Sequence, residues 1–195
     1  MTERIGIGTD WSGEDLSGQT HEGEVFQDLV LTEATSTAAV FSECTFRQAR
    51  FNVSEHRDTA FVNCTFVNCS FFDARFTECK LVGSTFERCT FDSMRVEGGN
   101  WSLVEMRGAD LRSASFRGTR LREADLSGAR CEGSSFRDVD LSGASVHRAD
   151  FTRCDLRGSD LSAIDPVANP VRGAIITIDQ TIVIAESLGF DVRHD

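Results

Sequence analysis

Four histidines, seven cysteines and thirty-one acids are the residues of this chain with chemistry to offer. Catalysis by a histidine needs a partner at metal-ligand or triad spacing. His21, His56, His147 and His194 each stand without one. His56 reads instead as a satisfied structural group. The seven cysteines could form a disulfide framework only in an oxidising compartment. The first ten residues hold Glu3, Arg4 and Asp10 and no apolar stretch of signal-peptide length. Reduced thiols acting as small core residues are therefore expected. Gly6-Ile7-Gly8 lacks the third glycine of a nucleotide-binding turn. The chain reads as a cytoplasmic protein with no cofactor, no metal and no enzymatic activity.

The acids remain. The formal net charge is −11, which argues against direct binding to nucleic acid, because phosphates demand lysine and arginine. The charge is uneven. Residues 1–60 carry 11 acids and 4 bases, whereas residues 111–165 balance at 9 and 9. The N-terminal third is the acidic end.

What must position these groups is a period of five. Every fifth residue from Trp11 to Leu161 gives 31 positions, of which 28 are apolar. At 40% hydrophobic composition chance supplies about 12. Thirteen of the 15 phenylalanines lie on this register, and His21, Ser36 and His56 are its exceptions. Two residues before each centre the side chain is small, and six of the seven cysteines sit there. A period of five matches neither a helix nor a strand. It matches a chain that turns a corner every five residues, with glycines such as Gly13, Gly83 and Gly128 relieving the backbone there.

Units such as Ala109-Asp110-Leu111-Arg112-Ser113, Ala124-Asp125-Leu126-Ser127-Gly128 and Cys64-Thr65-Phe66-Val67-Asn68 resemble the A(D/N)LXX repeat of the pentapeptide-repeat family. The resemblance implies an all-β solenoid, a right-handed quadrilateral parallel β-helix with one coil per four units. Ser36 and His56 would then share a column on successive coils, and a local bulge in one face is expected there. Thirty-one units would make nearly eight coils and a rod roughly 37 Å long at the spacing of paired strands. The expected organisation is a leader over 1–10, the β-helix over 11–165 and a capping and dimerisation segment over 166–195. Pro166 and Pro170 mark that last boundary. A β-like run over 171–178 is expected next. Asp179 is read as an N-cap, 180–188 as a short helix and Gly189 as its stop. Ile178, Ile182, Val183, Ile184, Leu188 and Phe190 would bury against the open end of the rod and against a second copy.

Two stretches, Phe41-Ser42-Glu43-Cys44-Thr45-Phe46 and Ser54-Glu55-His56-Arg57 continuing to Phe66, resemble the gyrase-interacting, Qnr-like group of that family, including its mycobacterial members. The resemblance implies a homodimer that binds DNA gyrase by imitating a DNA segment and protects it from fluoroquinolones. Projecting loops interrupt the repeat in some of that group. No register break marks one here, so a smooth rod is expected. The acids implied as contacts are Glu14, Asp15, Glu22, Glu24, Asp28, Glu43, Glu55 and Asp58 at one end, and Asp138, Asp140, Asp155 and Asp160 at the other. Duplex DNA would place about 22 charges along roughly 37 Å, twice the net charge here, so shape must contribute. Arg117, Arg137 and Arg157 stand twenty apart and should form a basic column on one face. A scaffolding rod for an unrelated partner, and self-resistance to another gyrase poison, are the alternatives.

Overall fold

The computed structural model describes residues 5–193. It wraps the five-residue period into a four-sided parallel β-helix. Pairing joins residues twenty apart, as in Phe26↔Phe46 and Phe46↔Phe66. One face is six-stranded and stacks Thr35–Thr37, Glu55–Arg57, Arg75–Thr77, Arg95–Glu97, Ser115–Arg117 and Ser135–Arg137. A five-stranded face begins at Ile5–Ile7 and ends at Thr85–Glu87. A three-stranded face holds Thr20–Glu22, Val40–Ser42 and Ala60–Val62 and continues by single bridges to Asp140. The fourth face is built of bridges alone, through Asp10, Val30, Arg50, Ser70 and Thr90. Among the described residues no inserted loop breaks the register.

The rod begins earlier and ends later than the periodicity suggests. Ile5–Ile7 already pairs with Val25–Gln27, and Gly8, at φ 63°, is a corner of the repeat. At the far end the ladder runs on to Asp155↔Ile175, past both prolines. A centre's N–H bonds the following coil, and no coil follows Pro166. The residue before a centre donates to the carbonyl 21 positions back, as Asp150 does to Ala129. Pro170 has no N–H to give Ala149. The Asn169 amide reaches the Ala149 carbonyl instead, at 3.1 Å.

The corner residue, two after a centre, has a left-handed backbone at most positions. Glycine fills many of these positions, as expected, but eighteen non-glycine residues among those described adopt the same conformation. Asn63 and Asn68 do so easily. Val53, at φ 58°, and Leu103, at φ 61°, do so at a steric cost.

The core is a set of ring columns. Phe26, Phe46, Phe66 and Phe86 stack with centroids 5.1, 5.0 and 4.8 Å apart. Phe41 and Phe61 stack at 4.9 Å. Strand spacing therefore sets ring spacing, and neighbouring columns meet edge-on, as Phe46 meets Phe51. Trp101, fully buried, lies parallel to Phe86 at 6.1 Å. Its small neighbour two positions earlier is Gly99, whose φ is 78° and where a Cβ would collide with the Cys79 backbone.

The predicted bulge is absent. Ser36 and His56 pair in register on the six-stranded face and are both buried. The Ser36 hydroxyl lies 2.7 Å from His56 Nδ1, and Ser54 Oγ lies 3.0 Å from Nε2. His56 takes a ring's place, stacked on Phe76 at 5.0 Å. A satisfied polar cluster needs no backbone defect.

The thiols have a second role. In extended units the centre's carbonyl lacks the turn bond that closes a tight corner. A donor 23 residues on supplies it: Cys64 Sγ to the Phe41 carbonyl at 3.4 Å, Cys79 Sγ to His56 at 3.3 Å, Ser84 Oγ to Phe61 at 2.8 Å. All seven cysteines are free. Burial pushes the Cys79 and Cys154 thiols up to about 11.

The helix spans Gln180–Ser187. The expected cap at Asp179 does not form, because its side chain bonds no backbone N–H. Gln180 anchors the helix instead. Its Oε1 accepts from the Thr177 N–H at 2.7 Å, and its Nε2 donates to the Leu156 and Ser159 carbonyls at 2.8 and 2.7 Å. Gly189, at φ 87°, stops the helix as expected, with Phe190 N–H bonding the Ala185 carbonyl. The expected β run over 171–178 is a turn, one bridge and a second turn. No helix of the described residues is long and apolar enough to cross a membrane.

Candidate partner-binding faces

Whatever this rod does is done by side chains flanking the centres and by the corners, since the lumen is filled. The twelve predicted acids divide into three groups. Glu22, Asp28, Glu43, Asp58 and Asp138 are exposed and form no ion pair among the described residues. Glu14 is also exposed, although it occupies the small-residue register of the first coil.

A second group is engaged locally. Asp15, Asp140 and Asp160 stand just before a centre, and each accepts a hydrogen bond from the N–H two residues on: Ser17 at 2.9 Å, Ser142 at 3.0 Å and Ser162 at 2.8 Å. This is the physical reason for the acid in the AD-L pattern, which closes its own turn. Hydrogen bonds from Ser17 and Ser142 hold the Asp15 and Asp140 carboxyls below their ordinary value. The third group is paired. Asp155 receives Arg157 at 2.6 Å and lies 3.9 Å from Arg137, and the Arg157 bond lowers its pKa. Glu55 lies 3.5 Å from Arg75. Glu24, expected to point outward, is part-buried against His21 Nδ1 at 3.3 Å.

The unengaged acids thus concentrate on the first three coils. Those near the C-terminal end mostly hold turns and arginines, and Asp138 is the exception. Sequence reading overlooked the exposed Glu33 and Glu78. Both are corner residues, and an acid in the corner register was the available signal. It also overlooked that the basic column is wider than three residues: Arg75 and Arg95 are paired in register on the same six-stranded face, two positions before the column containing Arg117 and Arg137.

The C-terminal apolar residues also divide. Ile184 turns inward against Leu156, Leu161, Ile164 and Val171, so it belongs to the cap and not to an outer face. Ile178, at 86% exposure, and Phe190, at 65%, face outward with Ile182, Val183 and Leu188. Among the described residues no group of three His, Cys, Asp or Glu is placed to hold a metal ion.

Two family descriptions match the chain: a pentapeptide repeat region over residues 69–146 and pentapeptide repeats over 134–165. No curated protein matches it. Among solved structures, a trypsin-treated variant of QnrB1, described as a plasmid-mediated fluoroquinolone resistance protein, superposes with a TM-score of 0.86 at 20% identity, covering 98% of each chain. Full-length QnrB1 gives a TM-score of 0.73 at 19% identity, covering 96% of this chain and 98% of its own.

Proposed function

Since the chain belongs to the pentapeptide-repeat proteins, whose faces must carry the function, we propose that it binds DNA gyrase in the cytoplasm as a DNA mimic. In doing so it modulates supercoiling and protects the enzyme from fluoroquinolones. The observation that carries this reading is the cluster of exposed, unpaired acids on the first coils of an uninterrupted rod. Glu14, Glu22, Asp28, Glu43 and Asp58 offer negative charge without first having to break an internal ion pair. The likeness to QnrB1, itself described as a fluoroquinolone resistance protein, supports the choice of partner.

The same reading makes the protein a homodimer joined through its C-terminal segments. Ile178 and Phe190 are large, apolar and exposed beside a helix that already caps its own rod, and a second copy would cover them. The test is gyrase supercoiling and drug-induced cleavage with the purified protein. Altered supercoiling and reduced cleavage are expected. No effect at micromolar protein would overturn the reading. Light scattering on a variant carrying Ile178→Asp and Phe190→Asp is expected to read one chain where the parent reads two.

A further inference from the structure

The six-stranded face runs against the charge of the rest of the molecule. Flanking its centres are Arg57, Arg75, Arg95, Arg117, Arg137 and Arg157, against Glu55, Glu97 and Asp155. With Asp15, bridged to Thr35 at the head of the same face, the face is positive by two on a chain that is negative by 11. The arginines are also regular: six successive rungs carry one each.

This arrangement works against stability. Arg75 lies directly opposite Arg95, and Arg117 opposite Arg137, and like charges on neighbouring strands repel. The internal partners do not neutralise the set. Glu55 reaches Arg75 and Asp73 reaches Arg95, each at 3.5 Å. Arg57 and Arg117 have no ion pair among the described residues. Arg137 Nε is shut off from solvent and finds no acceptor, its nearest carboxylate oxygen lying 3.9 Å away. Between the first arginines and the short Thr35, Thr37 and Thr77 runs a groove of about 440 Å³.

We propose that this face is a docking surface for an acidic α-helix of a partner protein, laid along the rod axis with one carboxylate per turn over each arginine rung. The rungs repeat at about 4.8 Å and helix turns at about 5.4 Å. Over six rungs the two rulers drift by only about 3 Å, which flexible arginine side chains absorb. Duplex DNA fits less well, because its charges crowd at one per ~1.7 Å and would lie along a rod that is otherwise negative. The proposal rests on this face alone and stands whether or not gyrase is the partner.

The test is fluorescence anisotropy of a labelled alanine-based peptide of about sixteen residues, with glutamate once per turn on one side, titrated with the full chain at low salt. Saturable binding is expected. Arg95→Ser with Arg117→Ser should weaken it about tenfold or more. Arg120→Ser with Arg122→Ser removes the same charge from the three-stranded face and should leave binding unchanged. A peptide of identical composition with its glutamates spread around the helix should bind several-fold more weakly. Melting curves on both variants check that they are folded. No binding would overturn the proposal, as would equal binding of the two peptides or equal loss in the two variants. Tighter binding of duplex DNA or inorganic polyphosphate would assign the face to phosphates and overturn it too.

Discussion

Up to Phe91 the solenoid is aromatic and strand-built, and beyond Trp101 it is aliphatic and turn-built. Twelve of the fourteen strands end by Glu97, and Phe116, Phe136 and Phe151 are the only phenylalanine centres after Trp101. Eleven successive corners from Asp28 to Glu78 are non-glycine, whereas Gly108, Gly118, Gly128, Gly133, Gly143 and Gly158 turn many later ones. The two halves satisfy the same backbone differently. At centre carbonyls the first alternates turn bonds with thiols and hydroxyls from the next coil, as at Phe51 and Phe41. The second closes them mostly with turn bonds, as Ala144 does for Leu141 and Ile164 for Leu161, while Asp140 and Asp160 accept the N–H two residues on. The candidate acids follow suit: mostly free on the first half, mostly engaged on the second.

The largest expected contrast is in the core. Phe46→Ala should cost about 3–5 kcal/mol, and Leu126→Ala, in the same column but in the second half, about 2–5 kcal/mol. Denaturant unfolding of the two variants ranks the halves. A cost at Leu126 above that at Phe46 would break the idea that ring stacking makes the first half the stronger.

Next comes pH. Burial holds the His56 pKa down at about 3, while an unfolded histidine titrates near 6.5. The unfolded chain therefore binds the proton first. The contribution of neutral His56 is complete above about pH 6.5 and is lost as pH falls toward 3, at about 1.4 kcal/mol per unit. Subtracting the profile of His56→Phe from that of the parent isolates this slope. Identical profiles would mean that the cluster opens to water.

Smaller effects probe the carbonyl and corner chemistry. Cys64→Ala should cost about 1 kcal/mol by leaving the Phe41 carbonyl bare, whereas Cys64→Ser, doing what Ser84 does, should be nearly neutral. Val53→Asn should stabilise by a few tenths to about 1 kcal/mol, since asparagine tolerates the left-handed corner that valine resists. Thermal melts on the three variants decide both points.

The period and the smooth register were legible in the sequence, because a filled lumen forces one large and one small residue into every unit; the parallel coil and its stacking columns came with the resemblance to pentapeptide repeats. The bond partners were less so. Cysteine was read by its size, and its donor role depends on a carbonyl 23 residues back. The Ser36/His56 rung was read as a bulge because the hydrogen bond that satisfies it joins side chains on successive coils. The prolines were read as the end of the rod, whereas Asn169 stands in for the N–H that Pro170 lacks. Of the candidate acids, the sequence located the charge. It did not separate free carboxylates from those held by a serine two residues on, because both look alike until the turn is closed.

The central claim is that the free acids of the first half are the binding surface. Gyrase supercoiling should be titrated with two variants, one carrying Glu14→Gln, Glu22→Gln, Asp28→Asn, Glu43→Gln and Asp58→Asn, the other Asp138→Asn, Asp140→Asn, Asp155→Asn and Asp160→Asn. The account predicts that the first variant loses the effect on gyrase while still melting cooperatively, and that the second keeps most of it. Full activity in the first variant, with loss in the second, would contradict it.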